Sequence, residues 1–267
     1  MSFLEDVLRV LDTQMTRPTM YGWFHILSLA LTVAATVLFC RFGKKWDKRK
    51  VVLTTAIVVA ALELYKQINY SFSYGNDIAF DYQWYAFPFQ FCSTPMYVGL
   101  LAGLWKKGKV HDAACAYLAT FSVFAGAAVM LYPATVFIGT VGINIQTMVC
   151  HGSMIVIGVY LLYTGYVKPE HKTILKAMAV FVVCVGLAVV MNEVAHASGL
   201  LERETFDMFF ISPYGTPSLP VYSIVQNMVA FPWCLAIYIL GFTLAAYIML
   251  LIAMGIARLA KKPQPVQ

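Results

Sequence analysis

The sequence predicts an all-α membrane protein, a bundle of about seven transmembrane helices. Hydrophobic residues make up 60% of the 267 and charged residues only 12%, with a mean hydropathy of +0.72. These values are typical of polytopic membrane proteins and exclude an ordinary soluble domain. A helix needs about 20 apolar residues to cross the hydrocarbon core. Seven stretches are long enough, at about 21–42, 51–70, 85–105, 111–132, 143–165, 174–197 and 224–257.

The chain is predicted to form one membrane domain, over residues 21–258, with a short segment at each end. Residues 1–20 lack the basic start and continuous apolar core of a signal peptide. Apolar and charged side chains alternate within them, a pattern typical of an amphipathic helix that lies in the membrane interface. Residues 259–267 are expected to form a basic cytoplasmic tail.

The distribution of Lys and Arg predicts the orientation. Fifteen of the nineteen lie on alternate loops, within 41–50, 106–109, 168–176 and 258–262. The positive-inside rule assigns these loops to the cytoplasm, so the N-terminus is expected outside and the C-terminus inside. The net charge of +6 then indicates topology and contact with anionic lipid. A bacterial plasma membrane and an endoplasmic reticulum membrane fit this pattern equally well.

The sequence contains no motif for a cofactor, a metal or a nucleic acid. It lacks a glycine-rich phosphate loop, a paired-histidine metalloprotease motif and a GxSxG elbow. All six cysteines fall within predicted spans without a CxxC pair, so neither disulfides nor zinc are expected. The basic loops are short and lack interleaved stacking aromatics. We expect membrane lipids, both phospholipid and lysophospholipid, as partners, and the sequence leaves the oligomeric state open.

Polar side chains cluster toward the outer ends of the predicted spans. Such side chains are costly at membrane depth, so each one is a functional candidate. At a rise of about 1.5 Å per residue, these positions share the outer half of the bilayer, within roughly 10 Å of one another in depth. They predict one polar chamber that opens toward the outer leaflet. The candidates are Glu63, Lys66, Gln90, Cys92, Asn144, His151 and Asn192.

These residues also have structural interpretations. Glu63 and Lys66 are three residues apart on one helix face, so they can form a buried ion pair that fixes helix packing. Asn192 can bond across helices. A single buried cysteine usually behaves as a small hydrophobic residue. Cys92 differs from the other cysteines because His151 is predicted at a similar depth.

A thiol and an imidazole at one depth suggest a nucleophile and its base. Cysteine attacks as the thiolate, and a neighbouring histidine can take its proton. A cysteine ester can pass its acyl chain onward, which suits transfer between lipids. Cys150 is a rival to Cys92, but it adjoins His151, so those two side chains diverge by about 100° around the helix. Donors available for the oxyanion are Gln90, Ser93, Asn144 and Asn192.

The leading hypothesis is an intramembrane lipid acyltransferase, or a lipid hydrolase, with Cys92 as nucleophile and His151 as base. The alternative is a transporter or lipid-binding protein whose polar chamber surrounds Glu63, Lys66 and Glu193. The apolar inner halves of the spans argue against a path through the membrane. A seven-helix receptor has little beyond its helix number in its favour.

Several short motifs resemble the YwaF / transmembrane protein 164 family of integral membrane proteins. Phe-Pro-Phe-Gln-Phe-Cys at 87–92 is similar to the Leu-Pro-Leu-His-Leu-Cys pattern of that family, and Cys-His-Gly occupies 150–152. Glu63 fits as well, as does Asn192, which is followed by a proline-rich loop and Phe-Pro-Trp at 231–233.

The resemblance covers about residues 20–255 and implies a bundle of about seven helices. It implies that Cys92 and His151 match the catalytic pair proposed for the family. The animal member is described as a lipid acyltransferase that moves polyunsaturated acyl chains onto lyso-ether phospholipids. Gln90 stands where the family often has histidine, so no role of that histidine is transferred.

Overall fold

The apolar stretches fold into helices because a bilayer offers no water to satisfy backbone groups. The computed structural model describes residues 3–203, 205–215 and 219–260. Within these residues, the helices are α1 (Phe3–Leu11), α2 (Trp23–Phe42), α3 (Lys48–Asn69), α4 (Thr94–Leu104), α5 (Lys109–Ala119), α6 (Phe121–Leu131), α7 (Val141–Tyr163), α8 (His171–Ala197), α9 (Leu200–Arg203), α10 (Pro220–Met228) and α11 (Phe231–Ala260).

The helices confirm the predicted all-α membrane bundle, and the protein is an integral, multi-pass membrane protein. Among the described residues, six helical stretches are long and apolar enough to cross a membrane. One of these stretches consists of two consecutive helices, α5 and α6. The six stretches are Trp23–Lys45, Lys48–Asn69, Lys109–Leu131, Val141–Tyr163, His171–Ala197 and Phe231–Leu259.

The span predicted at 85–105 was wrong in extent, because only the 11 residues of α4 are helical. Pro88 and Pro95 lack a backbone N–H, and each disfavours a helical conformation in the residue before it. The chain instead turns tightly before α4, where the backbone N–H groups of Ser93 and Thr94 both donate to the carbonyl of Gln90. A non-helical segment therefore leads into this helix.

Two other predicted spans are divided. The stretch at 111–132 breaks between α5 and α6 at Thr120, whose hydroxyl donates to the carbonyl of Ala116 at 2.8 Å. The stretch at 224–257 divides into α10 and α11. Pro232 occupies the first turn of α11, where its missing N–H leaves no helical hydrogen bond unmade.

A small antiparallel hairpin occupies the loop between α3 and α4. Its strands are β1 (Phe72–Tyr74) and β2 (Ile78–Phe80), with Ser73 opposite Ala79. One turn of 3-10 helix, Trp84–Ala86, follows the hairpin. The hairpin and this turn cap one end of α3 and bring the chain back toward α4.

Helix α7 lies at the centre of the bundle and packs against α2, α3, α5 and α6. Two glycines allow a close approach of α6 and the end of α5 to α7. A Cβ on Gly126 would lie 2.6 Å from the carbonyl oxygen of His151, and one on Gly158 would lie 2.1 Å from Val123 Cγ2. Small residues at helix contacts are typical of membrane bundles. Helix α8 packs against α5, and α11 packs against α6 and α8.

The N-terminal segment is attached to the bundle by backbone pairing. The N–H of Met15 donates to the carbonyl of Gly139, and the N–H of Val141 donates to the carbonyl of Thr13. Helix α1 agrees with the helix expected near the N-terminus, and its interfacial location stays a prediction. At the other end, residues 261–267 of the predicted basic tail lie outside the described residues.

Candidate functional site

A buried ion pair lies where α3 meets α7. Glu63 is only 7% exposed. Its Oε1 accepts hydrogen bonds from Lys66 Nζ and Gln67 Nε2, both at 2.8 Å, and its Oε2 accepts one from Gln146 Nε2 at 3.2 Å. The spacings of three and four residues place both α3 donors on the same helix face as the carboxylate. Three donors, one of them charged, offset the loss of hydration.

Hydrogen bonds extend this ion pair to two further segments. Gln67 Nε2 also donates to the carbonyl of Ala86 at 2.9 Å, and Tyr82 donates its hydroxyl proton to Gln67 Oε1. On α7, Gln146 Nε2 also donates to Cys150 Sγ at 3.4 Å. The network therefore links α3, the segment before α4 and α7.

His151 presents one ring nitrogen without a partner. Its Nδ1 is 2.7 Å from the carbonyl oxygen of Thr147. A carbonyl can only accept, so Nδ1 carries the proton and Nε2 carries a lone pair. Among the described residues, Nε2 is buried without a hydrogen-bond partner. Lys66 interacts electrostatically with this ring. A neutral imidazole with a free Nε2 is the form that a general base requires.

Cys92 lies in the non-helical turn, one residue before the N-cap of α4, Ser93. The side chain is half-buried, and the charges of Lys66 and Glu63 both act on the thiol. Burial and the charge of Glu63 oppose a thiolate there, whereas the charge of Lys66 and the partial positive charge at the start of α4 favour one. Because Nδ1 of His151 binds Thr147 and Nε2 has no partner, no hydrogen bond joins Cys92 to His151.

Gln90 and Asn192 hold the backbone of one loop. Gln90 donates from Nε2 to the carbonyl of Asp207 and accepts from the N–H of Phe209, both at 2.8 Å. Asn192 donates to the carbonyl of Met208 at 3.1 Å and accepts from the N–H of the same residue at 2.8 Å. Each amide therefore binds the backbone of residues 206–212 through one donor and one acceptor; we call these residues the clamped loop.

The clamped loop packs against residues 89–91, just before Cys92, and contains an unusual backbone. Phe209 and Phe210 both have left-handed conformations, with φ of 62° and 56°, which are strained for side chains with a Cβ. The ring of Phe209 is fully buried and lies 5.9 Å from the rings of both Phe89 and Phe91. Packing and the two amide clamps stabilise this conformation against its strain.

Asp207 contributes an ionisable group to the clamped loop. Its Oδ1 accepts a hydrogen bond from the N–H of Ser212 at 2.8 Å, which closes the loop on itself. Burial raises the pKa of the Asp207 carboxyl to about 6, although hydrogen bonds from backbone N–H groups act in the opposite direction. The clamped loop is the described part of the segment 198–220 that approaches the bundle interior.

Asn144 and Glu193 lie in other surroundings. Asn144 accepts from the N–H of Ile138 at 3.0 Å and donates to its carbonyl at 2.8 Å, which fixes the loop between α6 and α7. Glu193 is exposed and accepts a hydrogen bond from the hydroxyl of Tyr214 at 2.8 Å. Neither side chain joins the network around Glu63.

An apolar groove runs between α2 and α7. It has a volume of about 280 Å³; we call it the lateral groove. Ala35 on α2 and Gly152 on α7 are part of its lining. Thr55, Ser153 and Ile157 border both this groove and a smaller cavity next to Cys150. An acyl chain in the lateral groove would thus lie beside the α7 turn that carries His151.

The structure therefore brings some of the sequence candidates together and separates others. We call the hydrogen-bonded network around Glu63, together with the two residues on which the charge of Lys66 acts, the polar site. Gln67 follows Glu63 by four residues and Gln146 precedes Cys150 by four, so helical spacing could have identified both glutamines. The members of the polar site that the sequence predicted are Glu63, Lys66, Cys92 and His151. The further members are Gln67, Tyr82, Gln146 and Cys150, of which the sequence had indicated Cys150 as a rival nucleophile.

Comparison with known proteins identifies the family. A family model described as the TMEM164 family matches residues 20–254. No curated protein and no solved structure shows significant similarity to the chain. The matched range begins just before α2 and ends within α11, so it contains every residue of the polar site. The match confirms the resemblance to the transmembrane protein 164 family: the chain belongs to the TMEM164 family.

Proposed function

We propose that the protein is an intramembrane acyltransferase that moves an acyl chain from a phospholipid to a lysophospholipid through a thioester on Cys92. The observation that carries the proposal is the state of His151. Its Nε2 is buried and without a partner among the described residues, while Lys66 interacts electrostatically with both its ring and the Cys92 thiol.

In the first half of the reaction, His151 Nε2 takes the proton of the Cys92 thiol. The thiolate attacks the ester carbonyl of the donor lipid and forms a carbon–sulfur bond. The carbon–oxygen bond of the ester then breaks, and the leaving lysophospholipid alkoxide takes the proton back from the imidazolium. The products are a lysophospholipid and an acyl-enzyme thioester, and no proton is gained or lost.

In the second half, the free hydroxyl of an acceptor lysophospholipid gives its proton to Nε2 and attacks the thioester carbonyl. The carbon–sulfur bond breaks, and the proton on His151 returns to the sulfur of Cys92. Water in place of the acceptor hydroxyl would give hydrolysis by the same steps. The apolar surroundings of the polar site favour the lipid acceptor over water.

In this scheme Lys66 supplies a positive charge next to the reacting carbonyl, and Glu63 holds that charge in place. Among the described residues, the Lys66 ammonium contacts only Glu63. Of the three N–H donors on its nitrogen, some therefore remain available to a substrate. A cation beside the reacting carbonyl stabilises the oxyanion of the tetrahedral intermediate. Glu63 holds the ammonium in place, and Gln146 holds Glu63.

Gln90, Asn144 and Asn192 act as positioning residues in this proposal. Gln90 and Asn192 clamp the loop beside Cys92 and its neighbour Phe91, and Asn144 fixes the entry to α7. The substrate chain enters through the lateral groove, which opens toward lipid. No observation favours a transporter around Glu63, Lys66 and Glu193, because the exposed Glu193 is bonded to Tyr214 instead.

The test is acyl transfer in proteoliposomes, with a labelled donor phospholipid and an unlabelled lysophospholipid acceptor. We expect Cys92→Ala and His151→Gln each to reduce transfer at least a hundredfold, and Cys40→Ala, a cysteine on α2, to leave it unchanged. Full transfer in both Cys92→Ala and His151→Gln would refute the proposal. Loss of transfer in Cys150→Ala together with full transfer in Cys92→Ala would move the nucleophile to α7.

A further inference from the structure

A second pocket lies at the end of the bundle that carries the basic loops. It has a volume of about 590 Å³ and forms where the loops after α4 and α7 meet the beginnings of α5 and α8. We call it the basic pocket. Its charged lining residues are Lys106, Lys107, Asp112, Lys168, Glu170 and Lys176.

The charges in this pocket favour the binding of an anion. Four lysines face two carboxylates. Lys176 and Asp112 are 3.9 Å apart with half-exposed side chains, so their pairing contributes little. In the part of the chain that the structure describes, Lys106, Lys107 and Lys168 form no ion pair. The N-terminal ends of α5 and α8 add partial positive charge to the same space.

The floor of the basic pocket is a fixed set of polar groups. His111 Nδ1 is 3.0 Å from the carbonyl oxygen of Ala102, so this nitrogen donates and Nε2 accepts. The hydroxyl of Tyr166 donates to Nε2 at 2.9 Å, and Cys115 Sγ lies 3.6 Å from the same atom. These groups bind one another or the backbone, which leaves the lysines to interact with a ligand.

An apolar groove begins next to the basic pocket and continues along the lipid-facing surface. It has a volume of about 380 Å³ and lies between α4, the start of α5 and α8; we call it the α4–α8 groove. On α8, Lys176 in the pocket is followed four and seven residues later by Val180 and Val183 in the groove. Leu101 of α4 and Val110 of α5 line its near end. One face of α8 thus changes from cationic to apolar.

We propose that the basic pocket and the α4–α8 groove together bind one anionic phospholipid, with its phosphate among the lysines and an acyl chain in the groove. A water-soluble phosphate would use the lysines but would have no use for the apolar continuation. A zwitterionic lipid would fill the groove but bring no net charge to the lysines. This site is separate from the polar site and does not depend on the proposed acyl transfer.

The experiment measures lipid binding by native mass spectrometry of the purified full-length protein in detergent. The probes are phosphatidylglycerol, phosphatidylcholine and glycerol 3-phosphate. We expect phosphatidylglycerol to be retained at least tenfold better than phosphatidylcholine, and glycerol 3-phosphate not to compete at equal concentration. Each lysine near an anionic lipid surface contributes about 1 kcal/mol, so removal of three lysines should weaken binding by tenfold or more.

Two variants with matched controls separate this proposal from general surface charge. Lys106→Gln/Lys107→Gln/Lys168→Gln should lose phosphatidylglycerol, whereas Lys44→Gln/Lys45→Gln/Lys48→Gln, three lysines outside the pocket, should retain it. Ala179→Phe fills the α4–α8 groove and should also weaken binding. Val190→Phe, at an exposed position elsewhere on α8, should not.

Two outcomes would overturn the proposal. Equal losses in the pocket variant and the Lys44/Lys45/Lys48 control would mean that the lipid senses only the overall charge of this end. Effective competition by glycerol 3-phosphate, together with no effect of Ala179→Phe, would assign the pocket to a soluble phosphate. All the substituted side chains are exposed except Lys48, which is half-buried, and a thermal unfolding scan verifies that each variant remains folded.

Discussion

Gln146 on α7 donates a hydrogen bond to the carboxylate of Glu63 on α3 at 3.2 Å, and the same amide nitrogen donates to the thiol of Cys150 at 3.4 Å. One side chain therefore connects the buried ion pair to the helix turn that precedes His151. Lys66 completes the connection, because its charge acts on both Cys92 and His151.

The buried ion pair should be more sensitive to the loss of one charge than to the loss of both. Glu63→Leu leaves Lys66 buried without a counterion and should destabilise the protein by about 3–5 kcal/mol. Glu63→Leu/Lys66→Met removes both charges and should recover most of that loss. Thermal unfolding in detergent measures both, with Glu193→Leu as an exposed control. A double variant as unstable as Glu63→Leu would contradict the assignment of a buried pair.

Gln90 should hold the clamped loop in place. Gln90→Leu removes two hydrogen bonds to loop backbone, each at 2.8 Å, and should destabilise the loop by about 1–3 kcal/mol. The expected result is faster hydrogen exchange at the amide of Phe209, measured by mass spectrometry. Gln83→Leu, at a more superficial glutamine, should leave this amide unchanged. Unchanged exchange in Gln90→Leu would mean that packing alone holds the loop.

Because of Asp207, the clamped loop should become less stable as pH rises. Its folded pKa of about 6 exceeds the unfolded value. The native carboxyl therefore binds its proton more tightly, and this contribution to stability is present below about pH 4 and is lost as pH rises through 6. The full change is on the order of 3 kcal/mol. Exchange at Phe209 should be faster at pH 7.5 than at pH 5 after correction for intrinsic rates.

One variant tests whether Asp207 causes the pH dependence of exchange at Phe209. Asp207→Asn keeps an oxygen that accepts from the N–H of Ser212 but removes the titration. The variant should lose the difference in corrected exchange between pH 5 and pH 7.5. If the difference persists unchanged in Asp207→Asn, another group is responsible for it.

The lateral groove should hold the acyl chain of the substrate. Ala35→Phe projects a ring into the groove and should lower transfer of long acyl chains about tenfold, with a smaller effect on short chains. The adjacent Ala34 is exposed and does not line the groove, so Ala34→Phe is the matched control. Equal rates for the two phenylalanine variants at every chain length would exclude this groove as the chain site.

Close contact between α6 and α7 should be required at Gly126. A Cβ there would lie 2.6 Å from the carbonyl oxygen of His151, so Gly126→Ala must push the helices apart. Overpacking of this kind costs about 1–3 kcal/mol. Gly186 on α8 faces open space, and Gly186→Ala should be neutral or slightly stabilising. A Gly126→Ala protein as stable as Gly186→Ala would contradict the packing described here.

The sequence was sufficient to predict the helical bundle because hydrophobic length is a local property. The spans at α2, α3, α7 and α8 were predicted within a few residues. The span at 85–105 was not, because hydropathy does not distinguish a helix from a buried turn. Its seven residues before α4 are stabilised by the clamped loop, which is more than a hundred residues away in the chain and invisible to a local pattern.

The candidate site was predictable to the extent that it depended on depth. Depth grouped Glu63 and Lys66 with Cys92 and His151. Depth does not reveal which way a side chain points around its helix, so Gln90 and Asn192 were grouped with them although their amides bind loop backbone. The link from Gln146 to Glu63 depends on the rotation of α7 against α3, which one sequence does not specify.

The most direct test of the central claim is the site of the acyl-enzyme. The purified protein is incubated with donor phospholipid and no acceptor, quenched in acid and analysed by peptide mass spectrometry. The account predicts one acyl thioester, removable by hydroxylamine, on the peptide that contains Cys92, absent in Cys92→Ser and reduced in His151→Gln. An adduct on Cys150 instead, or sustained transfer activity with no adduct on any cysteine, would contradict it.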